Sequence, residues 1–149
     1  MKRLALEYWL PLLLWLIIIF FFSTDRFSAD ETSRFIVPIL KFLFPGFSPR
    51  EIELLHGVIR KFGHVSEYFL LAVFAYRSFS FEESDLAAAT VRTFSFVLLA
   101  ALVDELHQAF TASRGASIAD VGYDCFGALC ALWLITNYET RRLRAHSVL

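Results

Sequence analysis

Apolar residues occur in four long runs along the chain, and most charged residues lie between or at the ends of these runs. The runs extend over about 4–22, 62–76, 86–110 and 118–138. A helix that crosses a bilayer needs about 20 predominantly apolar residues. The second run approaches that length only because it includes the more polar stretch 62–67. We therefore predict an all-α membrane protein, a bundle of about four transmembrane helices.

The stretch 23–61 is too long for a structureless loop in a compact protein and carries two helix-start signals. Ser28 and Ser48 are each followed three residues later by Glu, the spacing of a capping box, and Pro49 occupies the first helical position of the second signal. The first signal predicts a short amphipathic helix at the membrane interface, ending before Pro45. The second predicts a helix that continues into the second membrane span.

Helical spacing assigns particular faces to two of these helices. Polar residues follow one face of the helix that begins after Ser48, three or four positions apart: Glu53, His56, Arg60, His64 and Glu67. In the fourth run, Gly127 and Ala131 form a small-xxx-small pattern that favours close packing of membrane helices.

Composition supports the membrane assignment and excludes some other classes. Hydrophobic residues make up 57% of the 149 residues, and 17 of them are Phe, more apolar side chain than so short a soluble domain could bury. The net charge of −1 and the lack of a basic tract argue against nucleic acid as a partner. Cys125 and Cys130 lie on different faces of one helix, which argues against a disulfide. We also expect the first apolar run to stay uncleaved, since no A-x-A-like site follows it.

The distribution of basic residues predicts the orientation in the membrane. Four spans place both termini on one side, and basic residues concentrate there: Lys2, Arg3, Arg141, Arg142 and Arg144. Although the first loop also carries basic residues, they are interspersed with acids. We expect both termini to be cytoplasmic.

Polar residues that are unusual for membrane spans occur at corresponding ends of the four segments. Because consecutive helices alternate in direction, all of them fall at the same end of the bundle, which is the outer face if the termini are cytoplasmic. Ser23 and Asp25 end the first segment. The predicted pocket residues are Lys61, His64, Glu67, Asp104, Glu105, Gln108, Arg114, Asp120 and Asp124.

The polar cluster has two interpretations. Ionisable groups inside a membrane cost roughly 2.5–3.5 kcal/mol each on insertion scales, so several on converging faces favour a functional site. The alternative is that they hold the bundle together by pairing: Lys61 with Asp104, Arg114 with Asp120, and His64 with Glu105. Measured polar contacts between membrane helices average only about 0.6 kcal/mol, which weakens this second interpretation.

These residues give the chain a resemblance to the VanZ-like family of bacterial membrane proteins. The matching motifs are Phe22-Ser23-Thr24-Asp25, Lys61-x-x-His64-x-x-Glu67-Tyr68, Asp104-Glu105-x-x-Gln108-x-Phe110 with Arg114, and Asp120-x-x-x-Asp124-x-x-Gly127. In the family, Gln often stands where this chain has Asp25, Asn where it has Asp124, and Gly where it has Ala131. The resemblance implies one VanZ-like transmembrane domain over 1–149, in a bacterial cytoplasmic membrane. The family's named member is associated with resistance to the glycopeptide teicoplanin.

Two functional hypotheses follow from the cluster. In the first, a non-enzymatic envelope protein binds membrane lipids, a lipid-linked precursor or a lipophilic glycopeptide, and Lys61 and Arg114 hold a phosphate or carboxylate. In the second, a hydrolase or transferase uses His64 as base or nucleophile, oriented by Glu67 or Glu105.

A divalent cation and an ion pathway are two further hypotheses for the same residues. Carboxylate oxygens are ligands that divalent cations accept, so the side chains of Asp104, Asp120 and Asp124 could hold one. Transport or ion conduction ranks last, because the polar groups gather at one end and do not cross the membrane.

Overall fold

The described part of the chain folds into five α-helices, and the predicted all-α architecture is confirmed. The structure is a computed structural model that describes residues 2–111 and 116–146. In chain order the helices are α1 (Lys2–Phe22), α2 (Ala29–Leu43), α3 (Pro49–Glu82), α4 (Leu86–Ala109) and α5 (Ile118–His146), with a 3-10 turn at Asp25–Phe27.

The helices differ in how well they fit a membrane span. By length and apolar composition, α4 and α5 each qualify. The described part of α1 qualifies only together with the following 25–43 segment, from which it is bent by 73°. α3 does not meet the same criterion, because its polar stripe interrupts the apolar run; we take 62–82 as its membrane-embedded part.

Both predicted helix starts are confirmed. The Oγ atom of Ser28 accepts a hydrogen bond from the backbone N–H of Glu31 at 3.3 Å. At the start of α3, the side chain of Glu51 accepts the backbone N–H of Ser48 at 2.7 Å, and Ser48 Oγ accepts the N–H of Glu51 at 3.4 Å. The reciprocal bonds form the expected capping box. α2 also ends at Leu43, before Pro45, as predicted.

α5 is longer than its apolar run indicates. The prediction ended it near Tyr138, but the helix continues to His146. The end of an apolar run marks where a helix leaves the membrane. The helix itself continues until it meets residues of low helix propensity or a helix-breaking residue. The extension contains good helix formers, and an i,i+3 pair joins Glu139 and Arg142 at 3.9 Å.

α3 is the central helix of the bundle and packs against each of the other four. It runs antiparallel to α1, which it meets through hydrogen bonds from Trp15 Nε1 to the carbonyl of Glu67 (2.9 Å) and from Ser78 Oγ to the carbonyl of Tyr8 (2.8 Å). The core between α1, α3, α4 and α5 contains fully buried residues that include Tyr68, Leu71, Val97 and Ala131.

Candidate functional site

α5 packs tightly against the backbone of α3 at Gly127. A Cβ atom at that position would collide with the carbonyl oxygen of Val65, so only glycine allows the two backbones to touch. The predicted small-residue face is therefore confirmed. Since His64 precedes Val65 and Asp124 lies about one turn before Gly127, this contact brings their side chains together.

His64 and Asp124 form the polar pair at the centre of the site. Nδ1 of His64 lies 3.2 Å from Oδ1 of Asp124. The imidazole is 14% exposed, and the carboxylate is completely buried. The enzyme hypothesis expected Glu67 or Glu105 to orient His64. The alternative, in which the polar groups pair to hold the bundle together, expected Glu105 as its partner. The structure instead pairs it with Asp124, because α5 rather than α4 packs closely against this turn of α3.

α4 contributes two buried carboxylates and an amide. Gln108 Nε2 donates a hydrogen bond to Asp104 Oδ2 at 2.8 Å, across the predicted i,i+4 spacing. Oε2 of Glu105 accepts the backbone N–H of Ser117 at 2.6 Å and so fixes the chain just before α5 begins. The three α4 side chains are 3–5% exposed.

Two residues of the site, Ser23 and Tyr68, were not among the predicted pocket residues. Tyr68 is fully buried, and its hydroxyl has no hydrogen-bond partner in the described part of the chain. It lies four positions after His64, so the i,i+4 rule placed it on the same helix face. Ser23 is 2% exposed at the end of α1. The signal for both was their presence in the family-like motifs.

Several buried oxygens of the site have no hydrogen-bond partner in the described part of the chain. They are Ser23 Oγ, Tyr68 OH, Asp104 Oδ1, Glu105 Oε1 and Asp124 Oδ2. Buried polar atoms in native proteins are almost always satisfied by protein, water or ligand. Their concentration at one end of the bundle therefore indicates a place for a polar guest.

Two concave regions adjoin the His64–Asp124 pair. The inner cavity, of about 240 Å³, lies between α1, α2, α3 and α4. Its polar lining residues are Ser23, Thr32, Arg60, His64, Glu67 and Asp104. The outer groove, of about 630 Å³, lies between α2 and α3 and reaches Lys61 and Asp120. Arg60 and His64 border both regions.

The remaining predicted pocket residues lie away from the inner cavity or outside the described chain. Nζ of Lys61 donates to the hydroxyl of Tyr123 at 3.0 Å and lies over its ring, so the expected pair with Asp104 was wrong. Asp120 faces the outer groove. Arg114, together with its expected pair with Asp120, lies outside the described residues. Cys125 and Cys130 are free thiols, and both are half-buried on α5.

The described side chains do not support the divalent-cation hypothesis. Within 2–111 and 116–146, no group of three or more His, Cys, Asp or Glu side chains is arranged to hold a metal ion. Asp104 accepts from an amide on its own helix and Asp124 pairs with an imidazole, whereas Asp120 faces the outer groove. The three carboxylates are therefore engaged in different directions.

Comparison with known proteins places this arrangement in a family. Residues 8–139 match the family model described as VanZ/LLP1. The comparisons with curated proteins and with solved structures gave no match. The match extends over most of the chain and confirms the resemblance inferred from the motifs. The chain belongs to the VanZ/LLP1 family and is a VanZ-like membrane protein.

Proposed function

We propose that this protein acts at the bacterial cell envelope and that its inner cavity binds the polar headgroup of a membrane-soluble ligand. The observation that carries this proposal is the concentration of buried oxygens without partners at this end of the bundle, of which Ser23 Oγ and Asp104 Oδ1 belong to residues that line the cavity. Leaving such atoms unpaired costs roughly 1–3 kcal/mol each. A bound headgroup that supplies donors recovers part of this cost.

The walls of the inner cavity support an amphiphilic ligand. Its lining also includes apolar side chains, among them Ile19, Phe22, Ile36 and Ile59. α2, which contributes to the lining of the cavity, exposes Phe35 and other large apolar residues, as expected of a helix in the membrane interface. A ligand held in the bilayer can thus place its headgroup in the cavity and keep its chains in lipid.

We place the cavity at the outer face of the cytoplasmic membrane, with both termini inside, because both termini carry basic residues in short segments next to a span, whereas those of the first loop are spread over 23–61 among acidic residues. The ligand classes that suit this position are a membrane lipid, a lipid-linked envelope precursor and a lipophilic glycopeptide. The last is the class to which the resemblance links resistance.

The test is native mass spectrometry of the detergent-purified full chain, comparing wild type with His64→Ala. His107→Ala is the matched control, since His107 lies at the same end of the bundle but is exposed and packs edge-on against Phe20. Wild type and the control should carry a co-purified amphiphile that His64→Ala loses. Wild type that carries no amphiphile, or His64→Ala that keeps it, would contradict the proposal.

A second candidate is a membrane-embedded hydrolase or transferase, and the His64–Asp124 pair is the observation that favours it. A carboxylate that accepts the Nδ1 proton fixes the imidazole tautomer and orientation. Nε2 is then available as a general base or nucleophile at the cavities that His64 borders. In this case Asp124→Asn should still bind the amphiphile but abolish its turnover during incubation with envelope lipid extracts. Turnover at the wild-type rate in Asp124→Asn would exclude this role.

A further inference from the structure

The environment of Asp104 indicates which chemical group the inner cavity receives. Asp104 is 3% exposed, and Gln108 satisfies its Oδ2 while Oδ1 has no partner. Within the described residues, no Lys, Arg or His side chain forms an ion pair with it. A buried carboxylate needs a hydrogen-bonded cation or a proton, because burial without one is strongly unfavourable.

A second buried oxygen borders the same space. Ser23 lies at the end of α1, is 2% exposed, and its Oγ has no partner in the described chain. Ser23 and Asp104 both line the inner cavity, where Glu67 adds another carboxylate. These oxygens come from three different helices or helix ends and converge on a single small volume. Asp104 Oδ1 and Ser23 Oγ thus offer acceptors to a guest that brings donors, and the buried carboxylate favours a donor group that carries positive charge.

Building on the proposed function, we infer that the ligand presents a primary ammonium group, which donates hydrogen bonds to Asp104 Oδ1 and Ser23 Oγ. An ammonium has three donors and no acceptor, which complements a carboxylate and a hydroxyl. A metal ion is disfavoured by the lack of a ligating group of side chains in the described residues. An anionic group in the same position would meet the buried carboxylate of Asp104. Arg60, on the same cavity, supplies the counter-charge for a phosphate beside the ammonium.

A primary ammonium can come from a lipid headgroup or from a small soluble amine, and the experiment separates these sources. The full chain is reconstituted in nanodiscs that contain equal amounts of phosphatidylethanolamine, phosphatidylcholine and phosphatidylglycerol with identical acyl chains. Native mass spectrometry after ejection from the discs measures the retained lipid. The three headgroups share a phosphate, but only that of phosphatidylethanolamine carries a primary ammonium with N–H donors. Phosphatidylcholine carries a quaternary ammonium, and phosphatidylglycerol carries no cation. A parallel titration with free ethanolamine tests the soluble source.

Wild type should retain phosphatidylethanolamine over each of the other two lipids by about tenfold, the size of one charge-assisted hydrogen bond. Asp104→Asn and, independently, Ser23→Ala should remove this preference. Glu53→Gln is the matched control, because Glu53 is a carboxylate of the outer groove that does not border the inner cavity, and it should keep the preference. Melting temperatures identify any variant that fails to fold. If Asp104→Asn fails to fold, Ser23→Ala still tests the assignment.

The outcomes separate the inference from the proposed function on which it rests. Equal or stronger retention of phosphatidylglycerol would overturn the ammonium assignment and leave amphiphile binding in place. Retention of no lipid by wild type, with no binding of free ethanolamine, would overturn both. Binding of free ethanolamine by wild type but not by Asp104→Asn, without a preference for phosphatidylethanolamine among the retained lipids, would support the ammonium site and assign a soluble source.

Discussion

Gly127 determines how the two helices that carry the site approach each other. Its Cα is pressed against the backbone of Val65, whereas a Cβ at Gly122, on the same helix, would meet nothing within 4 Å. The His64–Asp124 hydrogen bond depends on that approach. The two glycines of α5 therefore have different roles, one in packing and one without a steric requirement.

Replacing Gly127 with alanine should destabilise the protein by about 1–3 kcal/mol, the usual cost of overpacking. The added methyl forces α5 away from α3 and lengthens the His64–Asp124 contact. Thermal unfolding in detergent measures the effect. Gly122→Ala is the control and should be neutral or slightly stabilising, because alanine is the better helix former. Equal melting temperatures for the two variants would contradict the close packing of α3 and α5.

The contact between α2 and α3 closes one side of both cavities. Thr32 Oγ1 lies 3.3 Å from Nε2 of His56, which is buried. Burial, reinforced by the charge of Arg60, lowers the pKa of His56 from its ordinary value. His56 lies before the membrane-embedded part of α3. The helix that borders the proposed ligand site is thus held partly through a neutral histidine.

Docking of α2 should weaken as the pH falls below about 6.5, the ordinary histidine value. With the folded-state pKa lowered, the undocked state binds more protons, so the stability of the contact rises with pH and is lost on acidification. Hydrogen exchange of 29–43, corrected for the intrinsic rate, should be faster at pH 5.5 than at pH 7.5. His56→Gln is the control and should flatten the dependence. An unchanged pH dependence in His56→Gln would assign the effect to another group.

The first turn of α3 is held by the capping box of Ser48 and Glu51. Ser48→Ala removes the side-chain acceptor for the first turn and should cost about 1 kcal/mol. Glu51→Gln keeps an oxygen acceptor for the Ser48 N–H and should lose less. Hydrogen exchange over 48–53 distinguishes the two variants. If Glu51→Gln opens this turn as much as Ser48→Ala does, the cap depends on the Glu51 charge rather than on the reciprocal hydrogen bonds.

For the molecule as a whole, the ends of the bundle differ in chemistry. The polar cavity lies where α1 and α4 end and where α5 begins, whereas the turn between α3 and α4 lies at the opposite end. The ring of Phe79 packs edge-on against those of Trp9 and Phe96 near that opposite end. The proposed orientation exposes the cavity end, but not the α3–α4 turn, to reagents added outside the cell.

Single cysteines can test this orientation after Cys125 and Cys130 are replaced by alanine. Gly46→Cys lies between α2 and α3 at the cavity end, and Ser84→Cys lies in the α3–α4 turn; both positions are exposed. A membrane-impermeant maleimide should label Gly46→Cys in intact cells and Ser84→Cys only after lysis. The reverse pattern would place the cavity on the cytoplasmic side.

Much of the architecture could be predicted because it depends on local or one-dimensional properties. Apolar runs indicate membrane helices, and Ser28 and Ser48 mark helix starts, since a cap involves residues only three positions apart. The common location of the polar residues followed from the alternating direction of consecutive helices. The i,i+4 contact of Asp104 with Gln108 likewise needs only the geometry of a single helix.

The partners across helices were decided only by the tertiary structure. Periodicity specifies the polar face of each helix, but rotation and height relative to a neighbour depend on packing, here on the backbone contact of Gly127 with Val65. That contact places the side chain of His64 beside that of Asp124. Lys61 likewise pairs with Tyr123 instead of with Asp104. The burial of the unpartnered oxygens of Ser23 and Asp104 at one cavity also depends on packing between helices, because it requires three helices to converge on one volume.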